Sequence, residues 1–214
     1  MQQEILVGRS SEPAMSPAVL DGVYRFRHDV FNKRLGWEVK SRRGRERDDF
    51  DDLDPVYIAC RERDEVIGTF RLLPTTGPYM LRDTFPELLR GEEAPCASDV
   101  WELSRFAVTA RDPAARVQVT CSSETMEMMR ACFRYAQDNG IREYVMVTSV
   151  AVERMLRAVG MNLVRFGDGK AVRVGKVLSV ACRLTIDEAL GRALAVPGYI
   201  EDMQDSESVG REVA

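Results

Sequence analysis

Residues 100–108 read VWELSRFAV. Without Glu102 and Arg105 this is an ordinary core strand of Val, Trp, Leu, Phe and Ala, and strands of this kind sit in the middle of a covered sheet. An isolated charge taken into such a place costs several kcal/mol, so it persists only where it is paired or where a ligand needs it. Side chains along a strand alternate between faces, so Glu102 and Arg105 point opposite ways in a regular strand. Either a β-bulge between them brings both to one face, or they serve different pockets. Either the pair is a structural ion pair, or the strand helps to build a site.

Working outward on the C-terminal side, the spacing predicts a helix from Ser122 to Asn139, with Met126, Met129, Phe133 and Ala136 on its inner face and Gly140 closing it. EYVMVTSV (143–150) is a continuous apolar run and reads as a buried strand. A short helix follows over Ala151–Val159, then one or two strands within 162–185, and IDEALGRAL forms a last helix. On the N-terminal side, VYIAC (56–60) and VIGTFRLLP (66–74) read as strands joined by RERDE, TTGPYMLRD as a loop and TFPELL as one helical turn. Segment 38–54 is rich in Arg and Asp, lacks apolar anchors and reads as a mobile loop. Ser16-Pro17 starts a helix whose one face carries Leu20, Val23, Tyr24, Arg27, Val30 and Phe31. The order implies an α/β fold, a mixed central sheet flanked by helices, in one domain over 1–198, and several folds share that order. An acidic, flexible tail is expected over 199–214.

The bulk numbers exclude several classes. A net charge of −4 gives no reason to expect a nucleic-acid partner. No apolar run approaches the ~20 residues that span a bilayer, and MQQEILVGRS lacks the pattern of a secretory signal. Cys60, Cys96, Cys121, Cys132 and Cys182 are odd in number and scattered, which favours reduced thiols in a cytosol. His28 is the sole histidine, so neither a His-based metal site nor a Ser-His-Asp triad is expected. DDFDDLD (48–54) lacks the central Gly and terminal Glu of a calcium loop.

Charges at apolar positions recur: Arg27 within the first helical stripe, Arg71 inside GTFRLLP, then Glu102 and Arg105. Asp48 and Asp51 flank Phe50 just before the first of these strands, and Phe31 and Trp37 follow Arg27. Charges of both signs beside aromatic rings suit a zwitterionic, cationic small molecule: carboxylates take an ammonium, arginine takes a carboxylate, and ring faces take a sulfonium. A structural ion-pair network is the competing explanation.

These residues, in this order and spacing, resemble the acyl-homoserine-lactone synthases, the autoinducer synthases of bacterial quorum sensing. The matching pieces are Arg27, Phe31 and Trp37; Asp48, Asp51, Pro55 and Tyr57; Arg71 in RLLPTTGPYML; Phe85 in TFPELL; and Glu102, Ser104 and Arg105 in WELSRFAV. The resemblance covers the chain from the first helix to about residue 166. It implies a GNAT-like acyltransferase fold with a mixed, mostly antiparallel central sheet, and a cytoplasmic enzyme that joins S-adenosylmethionine to an acyl chain carried on acyl carrier protein. The amine attacks the thioester, the carboxylate then closes the lactone, and methylthioadenosine leaves. No cofactor or metal is implied, since S-adenosylmethionine is a substrate.

By the same resemblance Glu102, Arg105 and Asp48 are catalytic, with Glu102 as the base. Arg27, Phe31, Trp37, Asp48, Asp51, Arg71, Phe85 and Arg105 hold S-adenosylmethionine, with segment 38–54 ordering over it. Leu103, Met126, Met129, Met146, Thr148 and Leu156 line an acyl pocket, and a Thr at 148 suggests a 3-oxo or medium-to-long chain. Arg154, Arg157, Arg165, Lys170, Arg173 and Lys176 form a basic run suited to docking an acidic carrier protein. The rivals are a generic acetyl-CoA-dependent N-acetyltransferase and a small-molecule sensor without turnover. The turn TARDPAARVQVT (109–120) contains no glycine to cradle a CoA pyrophosphate.

Overall fold

The computed structural model describes residues 3–109 and 122–199. One sheet organises them, with strand order β1-β4-β5-β6-β7-β10-β8 and a short β9 pairing β10. Its strands are β1 (Gln3–Arg9), β4 (Val56–Glu62), β5 (Glu65–Pro74), β6 (Val100–Val108), β7 (Glu143–Ser149), β8 (Leu163–Arg165), β9 (Val172–Val174) and β10 (Val177–Thr185). The hairpin β2 (Ser41–Arg42) and β3 (Arg45–Glu46) stands apart from it. All pairings are antiparallel except β6 with β7. The two parallel strands are zipped only where Val100–Glu102 face Glu143–Val145. Beyond Glu102 and Val145 their ladder stops and the sheet forks.

The side chains divide cleanly between the two faces. One face carries Val56, Ile58, Phe70, Leu72, Trp101, Leu103, Tyr144, Met146, Val180 and Cys182, packed against α3 (Ser123–Asp138), α4 (Val150–Ala158) and α5 (Glu188–Ala193). The other is covered by α1 (Pro17–Arg27), by a π-helical continuation over His28–Arg34, and by the four-residue α2 (Met80–Asp83). Serine caps start three of the helices: Ser16, Ser122 and Ser149 accept the backbone N–H of Val19, Thr125 and Val152.

The helices at 17, 123 and 150 and the strands at 56, 65, 100 and 143 fall where the sequence puts them. Edge strand β1 was not expected. Only Gly8 of it is buried, so its apolar residues show no clear alternation. α2 occupies what reads as a loop, and three strands rather than one or two fill 163–185. Tyr199 belongs to the fold and not to a tail: its ring meets Phe133 edge-on at 5.6 Å. The rest of the proposed tail, and the glycine-free turn after Thr109, lie outside the described residues.

Candidate active site

The charges of VWELSRFAV do reach one face, and a β-bulge is the reason. Thr69 pairs with Ala107 and Arg71 with Ser104, so one residue of β5 is matched by two of β6, Arg105 and Phe106. Arg105 takes φ 54°, the left-handed conformation, which is uncommon for a residue with a side chain. Because Arg71 faces Ser104 and Leu73 faces Glu102, the extra residue delivers Arg105 to the side that already holds Arg71, Glu102 and Ser104. Tyr57 arrives there too, opposite Arg71.

Segment 40–52 closes over this face, and it is not the unanchored loop the sequence suggests. Its hairpin turns through Arg43 and Gly44, both at positive φ, and a 3-10 turn over Asp49–Asp52 follows. Ions replace the missing apolar anchors. Arg27, fully buried at the end of α1, donates Nη1 and Nη2 to the two oxygens of Asp51 at 2.8 and 2.9 Å, and Nε to Glu46. Asp51 also accepts from Arg71 Nη1 at 2.7 Å and from the Tyr57 hydroxyl. Arg71 reaches Asp48 as well, and its Nε donates to Ser104 Oγ at 3.2 Å. Arg105 Nη2 donates to Asp48 Oδ2 at 2.6 Å and lies 3.0 Å from Glu46 Oε1. Glu102, on the same face, accepts the backbone N–H groups of Met80 at 3.0 Å and Leu81 at 2.6 Å.

The network has a closed base and an open mouth. Arg27, Glu46, Asp51 and Arg71 side chains are fully buried, whereas Asp48 and Arg105 each keep 11% of theirs exposed. Burial opposes the charge on Arg27 and Arg71, but Asp51 with Glu46 or Asp48 overrides it and raises both guanidinium pKa values. Burial would likewise raise Asp51, yet Arg27 and Arg71 hold its carboxyl well below the usual range. At Arg105 burial prevails over Glu46 and Asp48, and its pKa is lowered. Burial pushes the Glu102 carboxyl up, only partly countered by the Met80 and Leu81 N–H groups. Beside the mouth, Phe31 and Trp37 stack with centroids 5.1 Å apart, and the Arg105 guanidinium lies 5.7 Å from the Phe31 ring centre. The Trp37 indole N–H is buried without a hydrogen-bond partner in the described structure.

Comparison with known proteins names the assembly. The autoinducer synthase family model matches residues 11–194. The chain belongs to the autoinducer synthase family. An acyl-homoserine-lactone synthase of Aeromonas salmonicida is 41% identical over 175 residues, 82% of this chain and 84% of that protein. The crystal structure of the AHL synthase LasI superposes with a TM-score of 0.80 at 38% identity, covering 90% of this chain and 94% of that one. The CoA-dependent acyl-homoserine lactone synthase BjaI, solved with SAM and isopentyl-CoA, gives a TM-score of 0.77 at 25% identity, with 92% of each chain covered. The fold is thus the GNAT-like acyltransferase fold, and the protein is an acyltransferase of quorum sensing.

In this autoinducer synthase Arg27, Asp48, Asp51, Arg71 and Arg105 meet in one network, with Phe31, Trp37 and Glu102 at its border. Phe85 packs elsewhere, in the apolar cluster of Leu73, Tyr79, Leu81 and Leu88. Two participants escaped the sequence reading. Glu46 looked like part of a solvated charge run, yet it stands two residues before Asp48 on extended chain, a spacing that puts both on one side. Met80 sits in the supposed loop, and its sulfur lies 3.0 Å from Arg71 Nη2 and 3.3 Å from Arg105 Nη1.

On the opposite face Leu103 and Met129 border a small apolar cavity, Met146 and Leu156 are plain core, and Met126 and Thr148 are half-buried. The basic run is partly paired with the interior. Arg165 holds buried Glu153 through two bonds, and Arg157, whose side chain stays 43% exposed, shares that carboxylate at 3.1 Å. Arg154, Lys170, Arg173 and Lys176 remain exposed.

Proposed function

We propose that this synthase makes an N-acyl-homoserine lactone from S-adenosylmethionine and an acyl thioester on acyl carrier protein, in the cytosol and without a cofactor. The mouth of the charge network carries the reading. Asp48 and Arg105 face each other as carboxylate and guanidinium, the complement of an amino acid's ammonium and carboxylate, and they are the exposed members of an otherwise sealed cluster. The methionine part of the substrate takes the place of their mutual contact, with its ammonium on Asp48 and its carboxylate on Arg105. Arg27, Glu46, Asp51 and Arg71 hold those two in position. The stacked Phe31 and Trp37 rings take the sulfonium and adenosine, and the free indole N–H donates to a ligand heteroatom.

Amide formation needs the ammonium deprotonated. Glu102 is the base, directly or through one water. Burial raises its pKa, so the carboxylate is a stronger base than a solvated one, and each of its oxygens keeps a lone pair beyond the one that Met80 or Leu81 N–H occupies. The freed amine attacks the thioester carbonyl and the carrier thiol leaves with a proton. The carboxylate oxygen then attacks the carbon beside the sulfonium, and that C–S bond breaks to release neutral methylthioadenosine. Closure requires orientation and no acid, since the leaving group starts as a cation. The acyl chain enters through the β6/β7 fork and lies along the Leu103, Met129, Met146 side, where the Thr148 hydroxyl suits a 3-oxo group.

A carrier-protein donor is favoured by the exposed Arg154, Lys170, Arg173 and Lys176, and an acyl-CoA donor, by likeness to the CoA-dependent BjaI, is the second reading. Mass spectrometry of purified protein with S-adenosylmethionine and a panel of carrier-bound and CoA-bound acyl chains separates them. Acyl-homoserine lactone with equimolar methylthioadenosine, formed faster from carrier thioesters, is expected. Faster turnover of CoA thioesters replaces the donor, and acetylation of an amine with no lactone overturns the reaction.

A further inference from the structure

We propose that Tyr144 is the fixed stop of the acyl channel and sets the length of chain that the enzyme accepts; this rests on the acyl-transfer reading above. Tyr144 pairs with Trp101 where β6 and β7 are still zipped, whereas the fork opens past Val145. Met146 and Thr148 follow it on the same face of β7, and Thr148 stands about 13 Å further along, at ~3.3 Å per residue. A chain that enters at the fork and runs along this face under α3 therefore meets Tyr144 at its closed end.

The geometry there is that of a small pocket with one immobile wall. A cavity of about 10 Å³ lies at that end, walled by Leu103, Met129, Phe133, Tyr144, Leu190 and Leu194 among others. That is room for about one water and not for an alkyl chain, so an incoming chain must displace wall side chains. Met129 is unbranched and adapts readily. Tyr144 does not, because its hydroxyl donates to the Cys132 carbonyl of α3 at 3.1 Å and the ring is 1% exposed. Swinging it aside would leave a buried hydroxyl and a buried carbonyl contact unmade. Apart from Cys132, whose thiol meets the same Tyr144 hydroxyl, the other wall residues are Leu, Ile, Met and Phe, with no polar group to tether them.

The test is the selectivity of two variants across a graded series of saturated acyl donors. Tyr144→Leu removes tether and ring. The kcat/KM ratio of longer donors over the parent's preferred one should rise by about tenfold or more, the discrimination that a methylene carries in an apolar pocket. Tyr144→Phe keeps the ring without the tether and should shift the same ratio less, in the same direction. The KM for S-adenosylmethionine should stay put in both. An unchanged donor profile in active variants overturns the proposal alone, and if Tyr144→Leu fails to fold, an unchanged Tyr144→Phe profile does so. A parent protein that yields no lactone from any donor overturns the reading beneath it and the proposal together.

Discussion

Leu72 and Leu103 are one residue away from Arg71 and Glu102, and the two pairs live in different worlds. On the leucine side the sheet meets α3, α4 and α5 through contacts that any apolar neighbour would satisfy. On the arginine side Arg27, Arg71 and Arg105 interlock with Glu46, Asp48 and Asp51, and each contact depends on direction and sign. Apolar burial is non-directional and scales with area. A buried charge must find an exact partner or shift its pKa. One face therefore tolerates substitution residue by residue, and the other stands or falls as a set.

The largest effect should come from breaking the sealed base. Asp51→Ala leaves Arg27 and Arg71 each short of a buried partner, and removing one member of such a pair costs about 3–5 kcal/mol. On a chain of this size the melting temperature should fall by roughly 10 °C. Because Arg27 and Arg71 depress the Asp51 pKa below its unfolded value, its contribution is fully present above about pH 4 and lost as pH falls through the folded value. Denaturation series at descending pH should show that loss in the parent and not in Asp51→Asn. A pH slope identical in both would mean that Asp51 is not held as the ion-pair geometry requires.

A smaller and different effect should follow at the mouth. Arg105→Lys keeps the charge but removes the fork that spans Asp48 and Glu46. The expected result is a KM for S-adenosylmethionine raised about tenfold, with a melting temperature within a few degrees of the parent. A large fall in melting temperature with unchanged KM would place Arg105 in the scaffold with Arg27.

The same contrast explains what the sequence discloses. Arg27, Arg71, Glu102 and Arg105 announce themselves because a charge at an apolar position is rare enough to need a reason, and the structure gathers all four on one face of the sheet. Even the bulge follows from requiring Glu102 and Arg105 on one face. Glu46 hides because a charge within SRRGRERDD looks like solvated surface until the partners that bury it are known. Leu103, Met129 and Tyr144 give no local sign of bordering a cavity, since a core residue and a pocket residue obey the same packing rule. Strand β1 hides for a related reason: an edge strand with one buried residue leaves a weak pattern.

The basic edge supplies the smallest effect and the sharpest check on which charges are free. Arg165 and Arg157 are tied to buried Glu153, whereas Arg154 and Lys176 point to water with no ion pair among the described residues. Docking on an acidic carrier is carried by free surface charge, acts mainly through association rate and weakens with salt. Arg154→Glu combined with Lys176→Glu should therefore raise the KM for the carrier-bound donor several-fold at low salt, and the gap from the parent should narrow as salt is added. The KM for S-adenosylmethionine and the melting temperature should not move. Arg165→Glu should do the reverse, lowering stability because it sets a second carboxylate against Glu153. Equal effects of the double variant on both substrates would remove this edge as the docking surface and leave its charges as ordinary solvated groups.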